Sequence, residues 1–72
     1  MKSAVNINKN IMHGTPCFAG TRVPVQTLFD WLEEGHGIDF FLEQFPSVHR
    51  EQVVTVLESA KRRTVEEAVA RR

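Results

Sequence analysis

Apolar residues recur at helical spacing in three separate stretches of this chain. Val25, Leu28, Phe29 and Leu32 stand at i, i+3, i+4 and i+7, the spacing of one face of a helix with 3.6 residues per turn. Pro24 suits a first helical turn, where its missing N–H breaks no bond. Gly35, after Glu33 and Glu34, is a natural stop, so helix 1 is predicted over 25–34. The two acids near its end oppose the helix dipole. Ile38, Phe41, Leu42 and Phe45 repeat the spacing. They lie between Gly37, a tolerable cap, and Pro46, before which helices usually end, and predict helix 2 over 38–45. Val53, Val56, Leu57 and Ala60 predict helix 3 over 50–62, after a connection at 46–49. Gln52 stands where a capping box from His49 wants it.

Ahead of the helices the pattern shortens. Val5, Asn6 and Ile7 alternate apolar and polar before Asn8, Lys9 and Asn10, which predicts a short strand and a turn. Gly14, Pro16, Gly20 and Pro24 then arrive at close intervals around Cys17-Phe18 and Val23, the composition of a tight hairpin or of paired extended segments. Gly20 is expected to take a positive φ. Behind helix 3, Thr64-x-x-Glu67 is a second capping-box pattern, and Val65, Ala68 and Val69 form a weak stripe. So short a helix is unstable alone, which predicts a frayed tail that orders on a partner. One domain over 1–62 and a basic tail over 63–72 follow.

Seventy-two residues bury too little surface for a large core, so stability is expected to lean on a partner or a second copy. The 42% hydrophobic and 25% charged content is that of a folding chain. No apolar run reaches the roughly 20 residues of a membrane span, and the start lacks a signal peptide's apolar stretch. A cytoplasmic location is expected.

The net charge of zero hides three blocks. Residues 1–25 carry +3, residues 26–60 carry −6 with Arg50 as their only base, and residues 61–72 carry +3. Glu33, Glu34, Asp39 and Glu43 read as a solvated acidic face, and as a steering patch if the partner is basic.

Enzymatic chemistry finds little footing. His13, His36, His49 and Cys17 show neither an i, i+4 pair nor a C-x-x-C, so no metal site and no cofactor is expected. Cys17 with His13 lacks an orienting third group. Arg22 is the one charge inside the Gly-Pro segment. Its donors suit helix-end carbonyls or a carboxylate, and a phosphate contact beside the start of helix 1 is the alternative.

Two short helices joined by a tight turn and preceded by another helix are the minimum of a helix-turn-helix domain. The phrases G-T-P-C-F-A-G-T-R-V-P-V, W-L-E-E-G and L-E-Q-F-P resemble the bacterial domain-of-unknown-function family 433, with its G-x-P-x-x-x-G-T-R-x-P-V wording. The match runs from about Ile11 to Ala60, with Gly14, Pro16, Gly20, Thr21, Arg22 and Pro24 as its structural motif. The resemblance implies a mainly α fold: three homeodomain-like helix-turn-helix helices with a short N-terminal β-strand or hairpin element. It also implies an antitoxin of VapB type that binds and inhibits a PIN-like ribonuclease toxin, with binding of its own operator DNA as a second role. Gly37 and His49 depart from the Ser or Thr caps usual in the family, so Ser47 is a candidate cap with a shifted start. Phe40 replaces an acid, which hints at a contact surface.

DNA contact is expected of His49, Arg50, Gln52 and Thr55 at the start of helix 3. With a single base among them, a homodimer presenting two half-sites is required. Toxin contact is expected of Phe40 and of Arg71 and Arg72, which suit the carboxylates of a PIN-like metal site; a merely solubilising tail is the other reading. A stand-alone DNA-binding regulator is the alternative function.

Overall fold

The structure, a computed structural model, describes residues 4–7 and 14–70. Two strands, β1 (Val5–Asn6) and β2 (Cys17–Phe18), precede three helices, α1 (Val25–Glu33), α2 (Ile38–Gln44) and α3 (Arg50–Ala70). The fold is mainly α with a short antiparallel β element, as the sequence predicts. The turn expected at 8–10 lies outside the described residues.

The Gly-Pro segment folds with β1 into a clamp around β2, which has a partner on each side. On one side β1 pairs antiparallel, Val5 opposite Phe18 and Asn6 opposite Cys17, and Ala19 N–H donates to Ala4 O at 2.8 Å. On the other side the chain returns: Phe18 N–H donates to Val23 O, Val25 N–H donates to Pro16 O, both at 3.0 Å, and Cys17 bridges Pro24. The reversal is a tight turn closed by Thr21 N–H on Phe18 O at 3.0 Å. Its third residue, Gly20, has φ +77°, a conformation that costs other residues and not glycine. Thr21 locks the turn from within: its hydroxyl donates to Phe18 O at 2.8 Å and accepts Val23 N–H at 3.1 Å.

Pro24, extended at φ −63° and ψ 139°, is the N-cap of α1. The helix ends in a Schellman turn: Gly35 N–H donates to Leu32 O and His36 N–H to Trp31 O, both at 3.0 Å, with Gly35 at φ +93°. These bonds satisfy carbonyls that the helix end leaves open. α2 starts at Gly37 without a side-chain cap and ends before Pro46.

The six core residues Phe18, Leu28, Phe41, Val48, Val53 and Val56 draw one from the clamp, one from α1, one from α2, one from the α2–α3 connection and two from α3. Val25, Phe29, Leu32, Ile38, Leu42, Phe45 and Leu57 pack around them, so the predicted helix faces are the buried ones. Val48, in the connection, is a core residue that no periodicity marks.

The end of the third helix differs from the expectation. α3 does not stop near Arg62 and restart at a Thr64 cap; it runs unbroken to Ala70. Thr64 Oγ1 donates back to Ala60 O at 2.9 Å, so its hydroxyl serves a helix interior instead of a helix start. Residues 61–70 contain neither Gly nor Pro, and Ala, Glu, Lys and Arg are strong helix formers.

Candidate interaction surfaces

Three surfaces carry the residues singled out from the sequence, and the first is the corner between α2 and α3. Gln52 lies at its centre and points inward. Its Oε1 accepts His49 N–H at 2.9 Å, completing the glutamine half of the predicted capping box. Its Nε2 donates to Ala19 O at 3.0 Å and to Ala4 O at 3.4 Å, across 33 and 48 residues of chain. One side chain therefore caps α3 and fastens it to the residues that flank the two strands of the clamp. The three other residues proposed to meet DNA, His49, Arg50 and Thr55, are exposed. Thr55 Oγ1 is engaged with Glu51 O at 2.8 Å. Arg50 forms an ion pair with Asp39 from the first turn of α2. Since Glu51 and Glu58 share the first turns of α3, the corner has no surplus of positive charge with which to attract phosphate.

The second surface is aromatic. The Schellman turn that ends α1 brings His36 back onto Trp31, ring centres 5.3 Å apart. Phe40 on α2 lies 5.7 Å from Trp31 and 5.1 Å from His36, distances at which ring pairs attract. Trp31 also meets Phe41 and Phe45, so this surface patch is continuous with the core. Phe40 is 43% exposed, and Glu33, Glu34, Asp39 and Glu43, near these rings in sequence, are exposed too. The sequence marked Phe40 alone. Trp31 and His36 join it through the turn at Gly35, and neither belongs to an apolar helical repeat.

The third surface is the outer half of α3. Every residue from Lys61 to Ala70 is exposed, including Val65 at 57% and Val69 at 61%. At 1.5 Å per residue, this arm carries the helix roughly 15 Å past Ala60. Arg71 and Arg72 lie outside the described residues.

The clamp itself frames a cavity of about 460 Å³ lined by Asn6, Thr15, Cys17, Gly20, Thr21, Arg22 and Ser47. Here one expectation is corrected. Arg22 is exposed and makes no hydrogen bond or ion pair with the described residues; Thr21 and Gln52 do the bracing that was expected of it, because both reach backbone groups from partly buried positions. Gly14 and Thr15 are half-buried and Pro16 exposed. Cys17 is buried, its thiol against Thr15 O at 3.4 Å, and His13 lies outside the described residues. Among the described residues no group of three or more His, Cys, Asp or Glu side chains assembles, and no helix is long and apolar enough to cross a membrane.

No curated protein and no solved structure matches this chain. A family model does, over residues 5–60, from β1 to the point where α3 leaves the body, and the chain thus belongs to the family described as "Protein of unknown function (DUF433)".

Proposed function

We propose that this protein is a non-catalytic, antitoxin-like interaction module that acts in the cytoplasm by binding a PIN-like ribonuclease. The observation that carries the reading is the arm of α3: ten consecutive helical residues, Lys61–Ala70, all exposed. A helix that leaves its own body presents the shape by which one chain lays a helical face into a partner's groove. It leads directly to Arg71 and Arg72, whose planar, bidentate donors suit the carboxylates around a nuclease metal. Because the arm is already helical, less ordering entropy opposes binding than a frayed tail would face. Phe40, on the aromatic patch with Trp31 and His36, is a second anchor for the same partner.

Co-expression with a PIN-like nuclease encoded beside this gene tests the reading. The expected results are a complex that co-purifies and growth rescue. The double change Arg71→Glu with Arg72→Glu should abolish rescue, and Phe40→Ala should weaken it. A nuclease that neither co-purifies nor loses toxicity removes the proposal.

Operator binding is the second reading, and the exposure of His49, Arg50 and Thr55 at the start of α3 favours it. Gln52 has no part in this second reading, since both ends of its amide are engaged. Titration of the upstream duplex at several salt concentrations should show specific binding that Arg50→Ala weakens. Equal affinity for a scrambled duplex would leave only unspecific attraction.

A further inference from the structure

The face of α3 that points away from the core has a spacing that reads the same in both directions, with the two charges exchanged. Val54, Glu58, Lys61 and Val65 follow one another at intervals of four, three and four residues. At 100° per residue, Glu58, Lys61 and Val65 lie within about 40° of Val54 around the helix axis, whereas the buried Val53 and Val56 are about 100° and 160° away. All four are exposed: Val54 by 45%, Val65 by 57%, and the side chains of Glu58 and Lys61 by 62% and 68%.

From this stripe we infer that a second copy of the chain docks on the first through α3, the two helices antiparallel about a two-fold axis between Glu58 and Lys61. Only in that register does each residue of the stripe meet its complement. Val54 faces the partner's Val65, Val65 faces the partner's Val54, and Glu58 and Lys61 each face the partner's opposite charge. The Glu58–Lys61 pair made within one helix at 3.0 Å becomes part of a four-charge cluster. A two-fold interface must be self-complementary in this way, and a parallel alignment of the same stripe sets Glu58 on Glu58 and Lys61 on Lys61.

The length of α3 suits the arrangement. The helix spans about 30 Å, and the axis falls near its midpoint, so the partner's Val69 comes alongside Arg50. The arm beyond Ala60, whose described side chains are all exposed, then rests on the partner's α3. Arg62, Arg63, Glu66 and Glu67 stay off the stripe, so pairing leaves those faces of the arm free for a different protein. The contact is small beside the roughly 1,200–2,000 Å² of stable interfaces, which points to a weak dimer, half-associated on the order of 10–100 µM.

Sedimentation of the full chain across that concentration range is the first measurement, with circular dichroism to verify the helix. Glu58→Lys alone and Lys61→Glu alone each set like charges across the axis, and each should weaken self-association about tenfold or more. Mixing those two variants in equal amounts should restore a dimer made of one of each, because every opposing pair is then of unlike sign. An independent check is oxidative cross-linking of Val54→Cys and Val65→Cys, for which a disulfide should form quickly in the mixture and slowly in either variant alone. A chain that stays monomeric to about 1 mM, a mixture that associates no better than its components, or cross-linking equal in all three samples would overturn the antiparallel pairing.

Discussion

The body of this protein and the arm of α3 are stabilised by different physics, although a single helix joins them. Up to Ala60, α3 is held by side chains that contact other elements: Val53 and Val56 are in the core, and Gln52 hydrogen-bonds to the clamp. From Lys61 to Ala70 every side chain is exposed. The arm is helical because the body has already nucleated the helix and each added residue needs only to propagate it. The family model ends where this change occurs. A small domain can thus build one core from a handful of apolar residues and still project a long recognition element, provided that element grows out of a helix the core has fixed.

The sharpest way to break this division is to remove core volume. Phe41 is fully buried and contacts Phe18, Trp31 and Phe45. Phe41→Ala should cost about 3–5 kcal/mol, enough to unfold a domain of this size, as chemical denaturation followed by circular dichroism would show. Val69→Ala on the arm should leave the denaturation midpoint unchanged, and a comparable loss there would mean the arm belongs to the folding unit.

Gln52 is the next test. Gln52→Ala leaves the carbonyl of Ala19 and the N–H of His49 without their side-chain partner and unfastens α3 from the residues beside both strands. A loss of about 1–3 kcal/mol is expected, with hydrogen exchange accelerating at Ala19 and at the start of α3. If the stability holds, packing of Val53 and Val56 alone fixes the helix.

Gly35→Ala should cost less, about 1–2 kcal/mol, the price of a left-handed residue with a Cβ. Nothing lies within 4 Å of where that Cβ would sit, so the cost is purely conformational. The Trp31 emission spectrum should shift as well, because the same turn holds His36 on its ring.

Much of the body was legible in the sequence, because helices that bury one face must repeat apolar residues every three or four positions. The clamp was legible through Gly20, whose positive φ a turn at that point requires. Three features were not. Val48 is buried from the short connection between α2 and α3, where no period exists to mark it. Gln52 reaches carbonyls 33 and 48 residues away, and sequence spacing carries no information about so distant a partner; the same long reach turned an expected base reader into a fastener and left Arg22 without the bracing role its donors suggested. The arm was misread because Thr64-x-x-Glu67 has the composition of a helix start. Composition does not say whether the preceding turn is already helical, and here it is. Of the candidate surfaces, Phe40 was visible as an apolar residue off the helical face, but its companions Trp31 and His36 depend on the geometry of the Gly35 turn.

The smallest effect is expected at Arg50, where opposing terms nearly cancel. Its ion pair with Asp39 joins two side chains that are 58% and 83% exposed, and exposed pairs contribute at most about 1 kcal/mol. Arg50 is also the first residue of α3, where a positive charge opposes the helix dipole by a few tenths of a kcal/mol. Asp39, in the first turn of α2, keeps its own favourable dipole interaction after Arg50 is gone and remains solvated. Arg50→Ala should therefore shift stability by less than about 0.5 kcal/mol, and raising the salt concentration should shrink the difference further. The measurement is a pair of urea denaturation curves at low and high salt. A loss above about 1.5 kcal/mol would show the corner to be part of the folding unit, whereas a near-zero value leaves Arg50 free to exchange Asp39 for an external phosphate at little cost in stability.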